Sequence, residues 1–424
     1  MDGHPRRRAR RIAAAIGLCV AVLQSPAAAA DPCADADDPE YGSRECKVAR
    51  LRQRPFVVIA TIDTGINPYH VDFRIPEDDD RHGVHPSEYI EGFPAEAPSL
   101  NLSFDASTPA QGYARDSAEW AKVTSGVPVW MPGTNVFGAV APGISGDFFD
   151  SQSGHGTGVA SVAGGQIYGQ GTRDVIILAM NGSGRDWRWA ANQPWIDLIS
   201  ISWSSLIPVL DQSAEGAHAA AASGKISCAA SGNLYGPIIF FEAQGPADIV
   251  HVGAVDPATR QRKDYSGWPV DVMALTDRPA ASHNSIRGER SFGGTSAATP
   301  HLCALLARAI STARQRVGDF REGPHGGGLV VGPAGQGAFS DGVLNRLEIE
   351  DAALATAVPV STEPHHFVLG GYGLVEGATI DHALRVMFGE SPRPARSVED
   401  TWQQVVDTGR DAVWDTVPDC PVCS

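Results

Sequence analysis

A serine stands at the start of an apolar, helix-like run in the stretch GGTSAATPHLCALLA, residues 293–307. Hydroxyl side chains often cap helices at such positions, because they satisfy N–H groups of the first turn. Thr295 or Ser296 could therefore be a helix cap. A serine hydroxyl becomes a nucleophile only when a base removes its proton. The other polar residues of the chain decide between these two interpretations.

Three further residues supply the groups that a nucleophilic serine needs. Asp63 ends the apolar run FVVIATID, His155 lies in the glycine-flanked stretch SGHGTG, and Asn233 follows the run ISCAAS. A histidine can act as a base near neutral pH, a carboxylate fixes its tautomer, and an amide N–H can bind an oxyanion. Each of these residues alone is more often a turn or cap residue. Their occurrence together, in the order Asp, His, Ser, predicts acyl transfer.

The elements that must position these residues are short apolar runs rich in β-branched residues. They are residues 56–63, 175–180, 198–202, 226–231, 249–255 and 272–275. Their hydrophobicity is continuous, which indicates strands covered on both faces. Helix-like segments lie between several of them, such as 156–165 and 211–224, the latter with Asp211 as N-cap and Gly224 as C-cap. The pattern predicts a three-layer α/β fold: a doubly wound, mostly parallel sheet with helices on both faces. In such sheets, ligands bind at the carboxyl ends of the strands.

Four motifs resemble those of the subtilisin-like serine proteases (subtilases). In order, VVIATIDTGINPYHVDF, SGHGTGVASVAGG, ISCAASGN and GGTSAATPH resemble the Asp, His, oxyanion-Asn and Ser motifs of the family, and the resemblance covers about residues 55–388. It implies that Asp63 orients the imidazole of His155, which is the general base and then the general acid. It also implies that Ser296 is the nucleophile and that its backbone N–H and the Asn233 side chain form an oxyanion hole.

The resemblance extends to a substrate-binding strand in WIDLISISWSS. In the family, a polypeptide in an extended conformation binds as an added strand beside the segment that matches Ser202, Trp203 and Ser204. Two residues depart from the family pattern, because glycine is usual where Ser204 stands and Trp203 is bulkier than the residue common at its position. These departures leave the cleavage preference open.

The first residues are typical of a secretory signal peptide. Five arginines between residues 6 and 11 precede an apolar stretch from Ile12 to Leu23, and alanines follow. The apolar stretch is too short to span a membrane, so we expect an exported, secreted protein without a membrane anchor. Removing residues 1–30 would leave 28 basic and 48 acidic residues, a net charge of about −20 in place of −16. Such an acidic surface argues against nucleic acid as a partner.

One catalytic domain, residues 55–388, is the predicted organisation. It follows the signal peptide at 1–30 and an N-terminal extension at 31–54, and it precedes a C-terminal tail at 389–424. Residues 74–150 are rich in proline and glycine and are predicted to be an irregular insertion rather than a second core. The extension has no room for a propeptide of the size that many secreted subtilases carry.

Two pairs of cysteines are disulfide candidates if the protein is exported to an oxidising compartment. They are Cys33 and Cys46, and Cys420 and Cys423 in a C-x-x-C. The alternative for the second pair, half of a zinc site, lacks a second pair of ligands. Cys228 and Cys303 lie in apolar runs and are predicted to be free, buried thiols.

The predicted triad requires no cofactor. Acidic residues 77–80 could hold a structural calcium ion, but consecutive acids do not match a spaced ligand loop, and solvated charge is the alternative.

Two other functions remain open. A catalytically silent, peptide-binding protein of the same fold is one of them, although the complete triad favours an enzyme. An acid-active serine–carboxyl peptidase with a glutamate base is another, and His155 disfavours it. The oligomeric state is not indicated.

Overall fold

A computed structural model describes residues 33–203, 213–234, 249–317, 329–330, 343–344, 346–360 and 370–392. The strands of its central sheet are β1 Val57–Asp63, β2 Val129–Trp130, β3 Val136–Ala139, β4 Val175–Asn181, β5 Leu198–Ile201, β6 Ile226–Ala230, β7 Val250–Val255 and β8 Val272–Leu275. They are ordered β2-β3-β4-β1-β5-β6-β7-β8. All neighbours are parallel except β2, which is antiparallel to β3.

Helices and two small hairpins complete the described structure. The helices are α1 Arg44–Arg52, α2 Pro109–Arg115, α3 Ser117–Trp120, α4 His155–Gly164, α5 Gly184–Ala191, α6 Ser213–Ala222, α7 Thr295–Val317, α8 Arg346–Ala355 and α9 Gly377–Met387. Strands β9 Arg278–Ala281 and β10 Glu289–Phe292 form one antiparallel hairpin, and β11 Leu329–Val330 pairs with β12 Val343–Leu344. Among the described helices, none combines the length and the apolar character needed to cross a bilayer.

The sheet separates two hydrophobic cores. Along β1, Val57 and Ile59 face a core shared with α4, α7, α8 and α9, while Val58 and Ile62 face a second core shared with α1, α5 and α6. Every residue of β1 is buried. Burial on both faces explains why the strands read as continuous apolar runs. The predicted fold class, a mostly parallel sheet with helices on both faces, is therefore confirmed.

The order of the strands reverses around β1. The chain passes from β1 through α4 to β4 on one side of β1, and then through α5 to β5 on the other side. The carboxyl ends of β1 and β5 consequently border a crevice of the kind in which α/β sheets bind ligands. Asp63 is the last residue of β1, and Ser202 directly follows β5.

Residues 74–150 are more ordered than the sequence predicts. They contribute β2 and β3 to the edge of the sheet, and Leu100, Trp120 and Met131 pack into the first core. The sequence does not reveal these strands because β2 has two residues and β3 has four. Gly138 in β3 further weakens the strand pattern, and a Cβ there would overlap the ring of Phe148.

The N-terminal extension is closed by a disulfide and fastened to the domain by an arginine. Cys33 and Cys46 form the expected disulfide bond. Arg50 of α1 bonds to the carboxylate of Asp80 through Nε at 2.8 Å and Nη2 at 2.5 Å, and to the carbonyl oxygen of Cys33 at 3.0 Å. Cys228 and Cys303 are free and buried, as predicted, whereas Cys420 and Cys423 lie outside the described residues.

The acidic segment 77–80 binds arginines. Asp79 pairs with Arg81 at 2.8 Å and with Arg54 at 3.1 Å, and Asp80 pairs with Arg50. Burial raises the pKa of Asp79, but the hydrogen bonds and charge of Arg81 and Arg54 outweigh this effect and hold the pKa well below its ordinary value. In the part of the chain that the structure describes, no group of three or more candidate metal ligands occurs.

A buried ion pair joins α7 to the amino end of β5. Arg314 Nη2 lies 2.5 Å from Asp197 Oδ1, and the two side chains are 5% and 3% exposed. Asp197 also accepts the backbone N–H of Val58 at 2.9 Å. Arg308, on the same helix, pairs instead with the exposed Asp381.

We expect Arg314→Ala to lower the free energy of unfolding by about 3–5 kcal/mol, because it leaves the buried charge of Asp197 without this partner. Arg308→Ala is the matched control, and its loss should stay below about 1 kcal/mol because the pair is exposed to water. Denaturant unfolding followed by fluorescence measures both. Equal losses for the two variants would contradict the prediction.

Candidate active site

A carboxylate and an imidazole meet at the carboxyl end of β1. Oδ1 of Asp63 lies 2.7 Å from Nδ1 of His155, the first residue of α4, and also accepts the backbone N–H of Thr64 at 2.8 Å. An ionised carboxylate only accepts hydrogen bonds, so Nδ1 carries the proton and Nε2 of the neutral ring is an acceptor. The Asp63 side chain is 2% exposed and that of His155 is 34% exposed. The imidazole therefore faces solvent while the carboxylate is buried.

The start of α4 is held by another carboxylate. Gly154 precedes the helix with a φ of 70°, a conformation that glycine adopts without strain. Asp150 accepts the N–H of Gly154 at 2.9 Å, and the N–H and hydroxyl of Thr157 at 3.1 and 2.8 Å. A negative charge at this end of a helix also interacts favourably with the helix dipole. These bonds fix the backbone from which His155 projects.

Gly156 allows α4 to approach the end of β1 closely. Its N–H donates to Oγ1 of Thr64 at 2.8 Å. A Cβ at this position would overlap the carbonyl oxygen of Gly65 and lie 2.9 Å from the backbone nitrogens of Thr64 and Gly65. Any other residue would therefore push the helix away from the strand, and with it His155 from Asp63.

Asp63 stabilises the protonated form of His155. Burial alone would lower the pKa of the imidazole, but the hydrogen bond to Asp63 and the charge of Asp63 outweigh it, so the pKa is raised above its ordinary value. The positive charge of Arg290 opposes this shift, and the negative charge of Asp150 adds to it. The site thus stabilises a proton on the imidazole, as a general base requires.

Ser296 is the second residue of α7. The preceding Gly294 has a φ of 77°, and its carbonyl oxygen accepts the N–H groups of Ala297 at 3.1 Å and Ala298 at 3.4 Å. The Ser296 hydroxyl caps no N–H group of the helix. It donates instead to the carbonyl oxygen of Ser202 at 3.2 Å.

Ser202 and Ser296 exchange two hydrogen bonds. Oγ of Ser202 donates to the carbonyl oxygen of Ser296 at 3.0 Å, in return for the bond from Oγ of Ser296. Within a helix, the Ser296 carbonyl would accept the N–H of the residue four positions later. That residue is Pro300, which has no N–H. The Ser202 hydroxyl replaces the missing donor and joins the end of β5 to the start of α7.

Asn233 is oriented by the residue that precedes Ser296. Its Oδ1 accepts the backbone N–H of Thr295 at 2.9 Å and is 3.1 Å from Oγ1 of Thr295. A backbone N–H requires an acceptor, so the atom that faces Thr295 N is Oδ1. The other atom of the amide group, which points away from this N–H, is Nδ2. Nδ2 donates to no acceptor among the described residues. The N–H of Ser296 belongs to the first turn of α7 and has no acceptor within the helix. Two N–H donors are thus available near the hydroxyl.

The remaining predicted substrate-binding residues are partly described. Nε1 of Trp203 donates to the carbonyl oxygen of Ile62 at 2.8 Å, which directs the indole to the end of β1. A Cβ on Gly182 would lie 3.0 Å from that Nε1, so the indole lies against this glycine. Ser204 lies outside the described residues.

The structure brings the predicted residues together in pairs. Asp63 bonds to His155, Ser296 bonds to Ser202, and Asn233 bonds to Thr295, whereas no hydrogen bond between the described Ser296 and His155 side chains occurs. The Asp63–His155 pair on one side and the Ser296 and Asn233 contacts on the other are joined by packing, because α4 and α7 are in contact. The ring centre of Phe292 is 5.3 Å from that of His155, and Phe292 also packs with Ala297.

Sequence reasoning missed two residues that support this site and one role of Ser202, which it named only for binding substrate. The hydroxyl of Ser202, the carboxylate of Asp150 and the ring of Phe292 each support a candidate catalytic residue. Pro300, four residues after Ser296, was a signal that the Ser296 carbonyl needs an external donor. Asp150 and Phe292 gave no comparable signal.

Fold and site together define a three-layer α/β protein with an Asp–His pair and a serine at the carboxyl edge of a doubly wound sheet. No family model and no curated protein matches the chain. Among solved structures, it is similar to the prenylagaramide maturation protease PagA, at 16% identity and a TM-score of 0.47, over 80% of this chain and 98% of that chain. It is also similar to a mutant of the protease domain of PatA, at 17% identity and a TM-score of 0.48, over 79% of this chain and 97% of that chain. Likenesses at this level bear on the fold alone, and the roles of the site residues rest on their own geometry.

We expect the imidazole of His155 to titrate with a pKa above about 6.5, the value for an unperturbed histidine. Asp63→Asn should lower this pKa, because it removes the negative charge that stabilises the protonated ring. NMR titration of the ring protons measures the pKa, and His155→Gln identifies the signal.

Asp105→Asn is the control for this titration. Asp105 is an exposed aspartate that pairs with Arg115 and does not contact His155, so its replacement should leave the titration unchanged. A pKa in the Asp63→Asn protein equal to that of the wild type would show that the carboxylate does not stabilise the protonated ring.

Proposed function

We propose that this protein is a subtilisin-like serine endopeptidase that hydrolyses polypeptides through an acyl-enzyme. The observation that carries the proposal is the 2.7 Å bond between Asp63 and His155, which holds a base at the start of the helix that packs against α7, the helix of Ser296. Asn233 supports it further, since its Oδ1 bonds to the backbone of Thr295, the residue before Ser296, and its N–H groups donate to no acceptor among the described residues. A nucleophile, a base, a group that orients the base and an oxyanion site are the parts that acyl transfer needs.

Substrate binding completes the site in this mechanism. In the free protein, the Ser296 hydroxyl donates to the Ser202 carbonyl, which is the acceptor that an added substrate strand would use. A substrate N–H that takes this acceptor releases the hydroxyl. Rotation about the Cα–Cβ bond of Ser296 is then the motion that turns Oγ towards Nε2 of His155 in the proposed mechanism. Catalytic hydrogen bonds often form only in the complex with substrate.

The chemical steps follow from these positions. His155 takes the hydroxyl proton as Oγ of Ser296 attacks the carbonyl carbon, and the resulting oxyanion accepts N–H bonds from Asn233 and the Ser296 backbone. His155 then gives the proton to the leaving amine as the C–N bond breaks, which leaves an acyl ester on Oγ. Water, deprotonated by the same imidazole, attacks the ester, and the C–Oγ bond breaks as the imidazolium returns the proton to Oγ, which releases the acid and restores Ser296. Asp63 remains ionised throughout and stabilises the imidazolium.

The compartment and the partner are part of the proposal. The signal-like residues 1–30, which lie outside the described residues, and the disulfide between Cys33 and Cys46 support an exported protein. The Ser202 carbonyl at the end of β5, which a substrate N–H could take over from the Ser296 hydroxyl, supports an extended polypeptide as substrate.

One observation favours a second candidate, a catalytically silent protein that binds peptides in the same crevice. The Ser296 hydroxyl bonds to Ser202 and not to His155 among the described contacts. If that bond persisted when substrate is bound, the serine would not be activated. Covalent labelling separates the two candidates.

We expect a fluorophosphonate probe to label the purified protein at Ser296, because an activated serine attacks the phosphorus. Ser296→Ala should abolish labelling, and Ser291→Ala, which removes an exposed hydroxyl on β10, should not. Mass spectrometry of the labelled peptides locates the adduct. Absence of labelling in a correctly folded protein would favour the silent candidate, and labelling at another residue would reject Ser296.

We expect Asn233→Asp to reduce kcat about 10²–10³-fold with little change in KM, because it removes the donors to the oxyanion. This variant keeps the acceptor that bonds to Thr295, so the start of α7 should be preserved. Asn101→Ala, at an exposed asparagine outside the crevice, is the control. Steady-state kinetics on a cleaved peptide gives both parameters, and an unchanged kcat would exclude Asn233 from the oxyanion site.

A further inference from the structure

The hairpin β9–β10 presents an arginine next to the candidate base. Neighbouring residues of a strand point to opposite faces, so Arg290 and Phe292 share one face of β10 while Glu289 points to the other. The shared face packs on α4, where Phe292 is buried against Val159 and Val162. Arg290 therefore extends over the helix start from which His155 projects.

The position of Arg290 is set by two contacts. Its Nη1 donates to the carbonyl oxygen of Gly154 at 3.2 Å, and its guanidinium carbon lies 5.6 Å from the ring centre of Phe292. The same ring is 5.3 Å from the imidazole of His155. Because Gly154 directly precedes His155, a permanent positive charge is held near the imidazole.

Arg290 lacks a carboxylate partner in the described part of the chain, and its one hydrogen bond to the protein leaves most of its five N–H donors open. Asp150 is near, but its oxygens accept bonds from Gly154 and Thr157. Other arginines of this acidic protein, such as Arg50, form ion pairs.

Arg290 lies near the imidazole that would give the leaving group its proton. The acyl part of a substrate would follow Ser202, which adjoins the ends of β1 and β5. The leaving amine receives its proton from the imidazole, so the residues after the cut lie beside His155. Phe292 packs against His155, and Arg290 bonds to the residue that precedes it.

We propose that Arg290 is a specificity-determining residue that binds a carboxylate in the first residues after the scissile bond. The inference rests on the proposed peptidase function. A guanidinium matches a carboxylate with two parallel N–H···O bonds, which lysine or a neutral side chain cannot reproduce. The carboxylate is either an acidic side chain or the C-terminus of a substrate that ends shortly after the cut.

The test uses sets of matched peptides built on one sequence that the wild type cleaves. In the first set, the C-terminus is amidated and Glu, Gln or Lys stands at the first or the second position after the cut. In the second set, the residues after the cut are neutral, and the chain ends after one or two of them with a free or an amidated carboxyl group. The ratio of kcat/KM within a set does not depend on the amount of active enzyme.

We expect the wild type to prefer Glu to Gln, or a free to an amidated terminus, by on the order of tenfold, as for a hydrogen bond to a charged group. Arg290→Gln should reduce the ratio to about one, and Arg290→Glu should invert it in favour of Lys. Arg287→Gln, which removes an exposed arginine in the loop of the same hairpin, is the matched control and should keep the wild-type ratio. The set that shows the preference identifies the source of the carboxylate.

Equal cleavage of all matched peptides by the wild type would overturn the inference while leaving the peptidase function intact. Loss of the preference in Arg287→Gln as well would also overturn it, because the effect would then be one of general charge. If no peptide is cleaved, the proposed function fails, and binding of labelled peptides to Ser296→Ala replaces kinetics. A Glu-to-Gln affinity ratio that is lost in Ser296→Ala/Arg290→Gln supports the carboxylate site, and equal affinities reject it.

Discussion

The exchange of hydrogen bonds between Ser202 and Ser296 is the junction on which the site depends. Pro300 removes the donor that the Ser296 carbonyl would find within α7, and the hydroxyl of Ser202 supplies it from the end of β5. The strand proposed to bind substrate and the helix proposed to carry the nucleophile are therefore held in a fixed position relative to each other. The same helix start orients Asn233 through Thr295. A shift of β5 relative to α7 would displace the proposed substrate acceptor, the hydroxyl and the proposed oxyanion donors at once.

The second half of the site depends on how closely a helix can approach a strand. Gly156 brings α4 onto the backbone of Thr64 and Gly65, and this contact sets the distance from Asp63 to His155. The starts of α4 and α7 both belong to this crevice, so the positive ends of two helix dipoles act on it. Such a field favours an oxyanion and disfavours an imidazolium. The carboxylates of Asp63 and Asp150 offset it at the imidazole, whose pKa is raised despite its burial.

The sequence predicts those parts of the fold that are dictated by local burial. The runs that became β1, β4 and β5 are apolar throughout because both faces of the sheet are covered, and Asp63 and His155 stand at their expected ends. Strands β2 and β3 escaped prediction because they are short and acquire their order from the sheet that they join. The pairing of Ser202 with Ser296 and the position of Arg290 join residues far apart in the chain, so no local pattern encodes them. For the pairing of Ser202 with Ser296, Pro300 indicates only that the Ser296 carbonyl needs a donor from outside its helix.

The attachment of the N-terminal extension has a practical consequence. Arg54 bonds to Asp174, which directly precedes β4, and Val57 begins β1, so this segment adjoins the amino edge of the sheet. The seven residues of β1 separate that edge from Asp63 by about 20 Å, at roughly 3.3 Å per residue. Purification tags, reporter domains or surface tethers fused ahead of Cys33 would therefore start on the far side of the molecule from the crevice. Immobilisation on a surface through that end would leave the crevice facing the solution.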